Sequence, residues 1–200
     1  SLDGAQERHD RHRRMACGGP SFQEVFRHLP EVLKVYEAVE VLAILARGET
    51  DIDRVVLELA ELGFRRIGVN LISTKIPEHR YREEDLPALD EGYSRLVAWL
   101  TGSDIDFMPF VAIIETLRRG IDRQFYCHAG VESLTVDTDG RYCACPLAVG
   151  LPEAQFGSST EGLDRKALAQ FRDRIRRNNA EACQRCWART SCGGGCMWRN

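Results

Sequence analysis

The residues with the most chemistry in this chain gather near its end. Cys183, Cys186, Cys192 and Cys196 fall within fourteen residues, spaced C-x2-C-x5-C-x3-C. Thiolates at such spacing can turn inward on a loop and ligate metal, because each short link closes a small ring at little entropic cost. Gly193, Gly194 and Gly195 sit inside the run, and glycine lets the backbone take positive φ and approach a metal closely. A second group lies upstream, with Cys127, Gly140 and Cys145 spaced C-x12-G-x4-C and Cys143 between them. Three uses of these thiols compete. Each iron–sulfur cluster takes about four thiolates, or fewer with an open or substitute ligand. Structural zinc takes about four, often as two C-x2-C pairs. Disulfides favour an even count, and the seven C-terminal cysteines leave one over.

The flanking elements must bring these thiols together. Glu132 to Val136 alternates in polarity, Asp137-Thr138-Asp139-Gly140 turns, and Arg141-Tyr142-Cys143 returns. That is a β-hairpin, which puts Cys127 and Cys145 on flanking segments near one point. Asp137 and Asp139 read as turn formers, and no catalytic base is assigned. Asp164 starts a helix with Leu168, Phe171 and Ile175 inward. Arg172, Arg174, Arg176 and Arg177 form its solvated basic face, near a C-terminus where cations favour the helix dipole.

The front half follows a different rhythm. Ser21-Phe22-Gln23-Glu24 reads as a capping box, and Pro30 should kink or end the helix that follows. Val39 to Ala46 reads as a buried strand, and Val55, Val56, Leu59 and Leu62 form the stripe of a helix stopped by Gly63. Phe64 to Ile72 is a second strand, Glu84 to Leu100 a further helix, and Phe107 to Ile114 a last apolar strand. Ser1 to Gly4 reads as the end of another strand. Strand and helix in alternation predict a parallel sheet with right-handed crossovers. A complete eight-fold barrel needs about 250 residues, and this stretch supplies about half. There is no G-x-G-x-x-G and no Walker lysine loop. Cys17 has no cysteine near it and reads as a bystander.

Composition bounds the partners. A net charge of −3 gives no reason to expect nucleic-acid binding. No apolar run approaches the roughly 20 residues of a membrane helix. The charged run Gln6 to Arg14 does not fit a signal peptide. A cytoplasmic setting is expected, where clustered cysteines favour metal over disulfides.

The joint pattern, C-x12-G-x4-C followed by C-x2-C-x5-C-x3-C, resembles the SPASM domain, the C-terminal extension of radical S-adenosylmethionine (SAM) enzymes that mature peptides and proteins. S-L-D-G-x4-H-D-x2-R, from Ser1 to Arg13, looks like a mid-barrel segment of the same enzymes. The resemblance implies an α/β fold: the second half of a partial (β/α)6 barrel over residues 1–120, then a small cysteine-rich domain over 121–200. It implies two auxiliary [4Fe–4S] clusters. Cys127, Cys145 and Cys196 would serve the first, with Cys143 as an extra ligand of it or, as the alternative, a bystander two residues from Cys145. Cys183, Cys186 and Cys192 would serve the second, together with a further cysteine that the family carries beyond the position of Cys196 and that this sequence lacks. Ser1 and Asp3 would face the ribose or amino-acid end of S-adenosylmethionine, and Arg13 its carboxylate, as a guanidinium suits a carboxylate.

In the family a separate C-x3-C-x2-C motif holds the cluster that cleaves S-adenosylmethionine. It does not occur here, so the sequence is expected to be an internal piece of a longer enzyme, inactive alone. The implied partners are a ribosomal peptide or protein and an external electron donor. Pro146 stands where the sulfatase-maturing branch has an acidic residue, which points toward crosslinking or thioether-forming oxidation instead. A zinc-stabilised binding module is the alternative from another class, and a simple iron–sulfur electron carrier is a third.

Overall fold

A computed structural model describes residues 2–72, 76–176, 181–196 and 198. They form two compact units, Ser1–Ala112 and Ile113–Asn200.

In the first unit, α1 (Gln6–His12), α2 (Phe22–Phe26) and α3 (Leu29–Val35) precede β1 (Glu40–Leu45). Then come α4 (Ile52–Glu61), β2 (Arg66–Leu71), a 3-10 turn at Glu83–Asp85, α5 (Leu86–Leu100) and β3 (Asp106–Phe107). The three strands pair in parallel in the order β1-β2-β3, with Val41 opposite Ile67 and Ala43 opposite Val69. Val41, Ala43 and Leu45 alternate with more exposed neighbours, so one face of β1 enters the core. There it meets Val55, Val56 and Leu59 of α4, Ile67 and Val69 of β2, and Leu96 of α5.

Three local expectations need correction. Leu2 and Asp3 are not strand, although Leu2 is buried in the core. Ser21 precedes α2 but its side chain makes no cap; its hydroxyl donates to the Arg13 carbonyl instead, at 2.8 Å. Asp10 does the capping work, its Oδ1 accepting from the backbone of Ser21 and Phe22, both at 2.8 Å. Burial opposes the Asp10 charge, but those two N–H donors hold its carboxyl below the usual range. Finally, Phe107–Ile114 is not a strand. Only Asp106–Phe107 pairs, and the apolar run continues as α6 (Met108–Arg118). Pro109 lies in the first turn of α6, where its missing N–H costs nothing.

The second unit holds an antiparallel sheet in the order β4-β5-β6-β7, from Thr135–Val136, Arg141–Cys143, Gln155–Ser158 and Gly162–Leu163. The β4–β5 hairpin turns at Gly140, with φ at +77°, and Asp137 Oδ1 accepts from the backbone of Asp139 and Arg141. The strands β6 and β7 go beyond the sequence expectations. Next is α7 (Arg165–Ile175), capped as expected by Asp164, whose side chain accepts from Ala167 N. Two one-turn helices follow, α8 (Glu181–Gln184) and α9 (Arg189–Cys192). The core is small: Ala144, Ala148, Ala154, Phe156, Leu168 and Phe171, with Phe156 and Phe171 rings 5.0 Å apart.

Candidate functional site

Three cysteines far apart in sequence meet in the second unit. Cys127, Cys145 and Cys196 line one cavity of about 270 Å³, together with Tyr126, Pro146, Leu147, Phe171, Ile175 and Trp198. Each thiol is delivered by a different device. Cys145 leaves β5 and opens a 3-10 turn, Pro146–Ala148, with Ala148 N donating to the Cys145 carbonyl at 2.9 Å. The Cys127 segment is clamped on two sides. Downstream of it, Arg172 of α7 donates to the Gly130 carbonyl at 2.8 Å and the Val131 carbonyl at 2.6 Å. Upstream of it, Arg123 N donates to Thr190 O in α9. Gly193 caps α9 with φ at +75° and packs so closely that a Cβ would stand 2.2 Å from the Phe125 carbonyl oxygen. No side chain fits there, so that glycine fixes how the end of the cysteine run meets the Cys127 segment. Gly194 and Gly195 also take positive φ, which carries the chain on to Cys196.

The basic face of α7 is therefore not merely solvated. Arg172 is a half-buried clamp, Arg174 donates to the Glu153 carbonyl at 2.8 Å, and Arg176 lies 5.8 Å over the Phe125 ring. Arg177 lies outside the described residues.

The other cysteines stand elsewhere. Cys143 is fully buried in β5 opposite Thr135, and it does not line the cavity. Burial pushes its thiol up, against thiolate formation. Cys183 belongs to α8, Cys186 N donates to the Cys183 carbonyl at 3.3 Å, and Cys192 ends α9. Cys186 and Cys192 are exposed. Among the described residues, no three His, Cys, Asp or Glu side chains are grouped closely enough to hold a metal ion.

The first unit has its own cavity, about 210 Å³, lined by Asp3, His12, Arg13, Ile44, Ala46, Ile72 and His79. Ile44, Ala46 and Ile72 belong to the carboxyl ends of β1 and β2, which is where parallel α/β sheets bind ligands. Asp3 is 3 % exposed and doubly engaged. Its Oδ2 accepts from Arg13 Nε at 2.5 Å, and its Oδ1 accepts from Ile44 N at 3.0 Å and Arg13 Nη2 at 3.3 Å. Asp3 and Arg13 thus lie side by side, whereas Ser1 lies outside the described residues. His9 is the histidine of the S-L-D-G-x4-H-D-x2-R segment, where it was given no role of its own. His12 and His79 were signalled only by type; their rings pack edge to face at 6.3 Å on the cavity wall.

No family model matches this sequence, and no curated protein matches it. Solved structures do. The chain superposes on native anSMEcpe with bound AdoMet at a TM-score of 0.74, with 19% identity, over 98% of this chain and 58% of that one. AnSMEcpe is an anaerobic sulfatase-maturating radical SAM enzyme with a SPASM domain. Its complex with AdoMet and the Kp18Cys peptide matches at 0.75 with 18% identity, again over 98% and 58%. The complex with the Cp18Cys peptide matches at 0.74 with 19% identity and the same coverage. The fold is thus the mixed α/β fold of these structures, and the chain spans under two thirds of their length. No helix among the described residues is long and apolar enough to cross a membrane.

Proposed function

We propose that this chain is part of a radical SAM enzyme that modifies a peptide or protein, and that Cys127, Cys145 and Cys196 hold an auxiliary [4Fe–4S] cluster. The observation that carries the reading is the shared cavity of those three thiols. The donor set fits the group. A single zinc needs sulfurs about 2.3 Å from one point, and no such grouping occurs among the described residues. A polynuclear cluster spreads its thiolates around a larger volume, and Phe171, Ile175 and Trp198 give that cavity apolar walls. We assign Cys143 to the hairpin core and not to the cluster, because it is fully buried and does not line the cavity.

Bound there, the cluster would supply a one-electron site. The protein would bind the cluster through thiolates on three separately fixed segments, which resist its loss. Cys183, Cys186 and Cys192 are proposed to ligate a second cluster from the two short helices and the turn between them. Asp3 and Arg13 would present a carboxylate and a guanidinium to S-adenosylmethionine at the sheet's carboxyl edge. The neighbours' bound AdoMet and peptides support that cofactor and a peptide substrate. An external donor would supply electrons, and the cytoplasm would keep the thiols reduced. The apolar Pro146 beside Cys145, on the cavity wall, favours crosslink- or thioether-forming oxidation over formylglycine chemistry.

The test is iron, zinc and acid-labile sulfide in protein purified without oxygen, for the native sequence and two variants. Iron and sulfide in near-equal amounts, reduced by about one cluster in Cys145→Ser and unchanged in Cys143→Ser, is the expected result. Zinc without sulfide would refute the reading and favour a zinc-stabilised binding module.

A further inference from the structure

We infer that His9 is a positioning residue of the Asp3–Arg13 cavity, held as the neutral tautomer protonated at Nε2, and that it fixes both members of that pair through one hydrogen-bonded chain. The inference deepens the cofactor-facing role proposed for Asp3 and Arg13 and rests on it in part.

Two contacts assign the proton independently. The Ser21 hydroxyl lies 2.8 Å from the Arg13 carbonyl and 3.0 Å from His9 Nε2. A carbonyl only accepts, so the one hydroxyl proton of Ser21 goes to Arg13 O. Ser21 Oγ is then left to accept, and His9 Nε2 must carry a hydrogen. At the other side of the ring, Asp3 N points its hydrogen at His9 Nδ1 over a longer 3.4 Å. Nδ1 must therefore be a bare acceptor, which is the same tautomer. A proton on Nδ1 would face the Asp3 N–H and break the chain there.

The surroundings favour that state. His9 is 1 % exposed, and its ring packs edge to face on Phe22 at 5.7 Å. Burial pushes its pKa down, the Asp3 and Asp10 carboxylates pull the other way, and Arg13 adds to the fall; the net direction is downward. The chain therefore runs from Asp3 N–H to His9 Nδ1, from His9 Nε2–H to Ser21 Oγ, and from Ser21 O–H to Arg13 O. Asp10 holds the same Ser21 by its backbone. The Asp3 and Arg13 backbones are thus pinned by His9, while their side chains line the cavity. A partner that orients a ligand-binding group in this manner is worth about 10–100-fold in affinity where such effects have been measured at metal sites.

The test combines a proton assignment, an exchange rate and a binding constant. In isotope-labelled protein at neutral pH, imidazole nitrogen resonances of His9 should show Nδ1 bare and Nε2 protonated. The Arg13 Nε–H should exchange slowly with solvent, and faster in His9→Phe. The Kd for S-adenosylmethionine should rise about tenfold in His9→Phe, and by less in His9→Gln, whose amide can still donate to Ser21. A protonated Nδ1, or unchanged Arg13 exchange in both variants, would overturn the inference. Should Asp3→Asn and Arg13→Gln bind S-adenosylmethionine as well as the native sequence does, the cofactor reading fails alone. The exchange and tautomer results then still decide the role of His9. If His9→Phe does not fold, His9→Gln and the native tautomer decide the same question.

Discussion

In the first unit, Ile44, Ala46 and Ile72 of the cavity stand at or just beyond the ends of two strands that pair continuously from Glu40–Arg66 to Leu45–Leu71, backed by a stripe of α4 that is completely buried, and Asp3 is tied to the first strand through Ile44 N. In the second, the cavity thiols come from a strand end, a loop and the chain beyond a one-turn helix, around six buried residues of which three are alanine. Sheet and helix packing fix the first site before anything binds. The second is held by backbone clamps, such as Arg172 on Gly130 and Val131, and on the proposed reading by the cluster its thiols would hold. A small core cannot offset the entropy of ordering many loop residues, so metal-stapled units gain their folding energy on binding.

Removing the proposed cluster should distinguish the units most. After anaerobic chelation of iron, amides of residues 126–131 and 181–196 should lose most of their protection from hydrogen exchange. Amides of β1, β2 and α4 should keep theirs. In small zinc domains the coupling between metal and folding is on the order of 10 kcal/mol, so even a fraction of it would be visible. Equal loss of protection in both units would break the comparison.

A smaller effect comes from paired truncations. Leu59→Ala and Phe171→Ala each empty a buried site, with costs of about 2–5 and 3–5 kcal/mol. Phe171 also walls the thiol cavity and packs at 6.3 Å against Trp198. Its truncation should lower bound iron as well as stability, whereas Leu59→Ala should lower the melting temperature at constant iron content. Iron lost equally from both variants would mean that the second site depends on the stability of the first unit.

The difference between the units also explains what could be read from the sequence. The strands β1 and β2 and helix α4 were legible because buried apolar residues recur with the period of the element, as in Val55, Val56 and Leu59. The hairpin was legible from Asp139-Gly140, and α7 from Asp164. The run Phe107 to Ile114 was not, because a short, wholly apolar stretch has no period to separate strand from helix. Asp10 displaced Ser21 as the cap of α2 because a carboxylate reaching from α1 accepts from two N–H groups at once. Among the site residues, Asp3 and Arg13 were visible by motif, but their contact with each other was not. His9 was visible as the histidine of the same motif, but its proposed role was not, since that lies in which nitrogen bears hydrogen. The grouping of Cys127, Cys145 and Cys196 was implied by resemblance, and spacing alone left zinc and disulfides open. The burial of Cys143 was out of reach, because two residues along a strand end can point a neighbouring thiol into a core or into a cavity.

The smallest expected effect concerns surface charge in the first unit. Arg95 of α5 grips Asp53 of α4 with both nitrogens, Nε to Oδ2 at 2.8 Å and Nη2 to Oδ1 at 3.0 Å. The Arg95 hydrogen bond is the main reason the Asp53 carboxyl titrates below its usual range, although burial opposes it. A carboxyl depressed in the folded state stabilises the fold above its unfolded pKa of about 3.9 and stops doing so as pH falls through the folded value. Arg95 is solvated and Asp53 only partly covered, so Arg95→Ala should lower stability slightly at pH 7 and not measurably near pH 2. Bound iron should not change at pH 7. Urea melts of the two proteins at both pH values read this directly. A loss at pH 7 as large as that of Leu59→Ala would mean that α4 and α5 depend on this ion pair as much as on their buried leucines, and the first unit could no longer be described as held by its core.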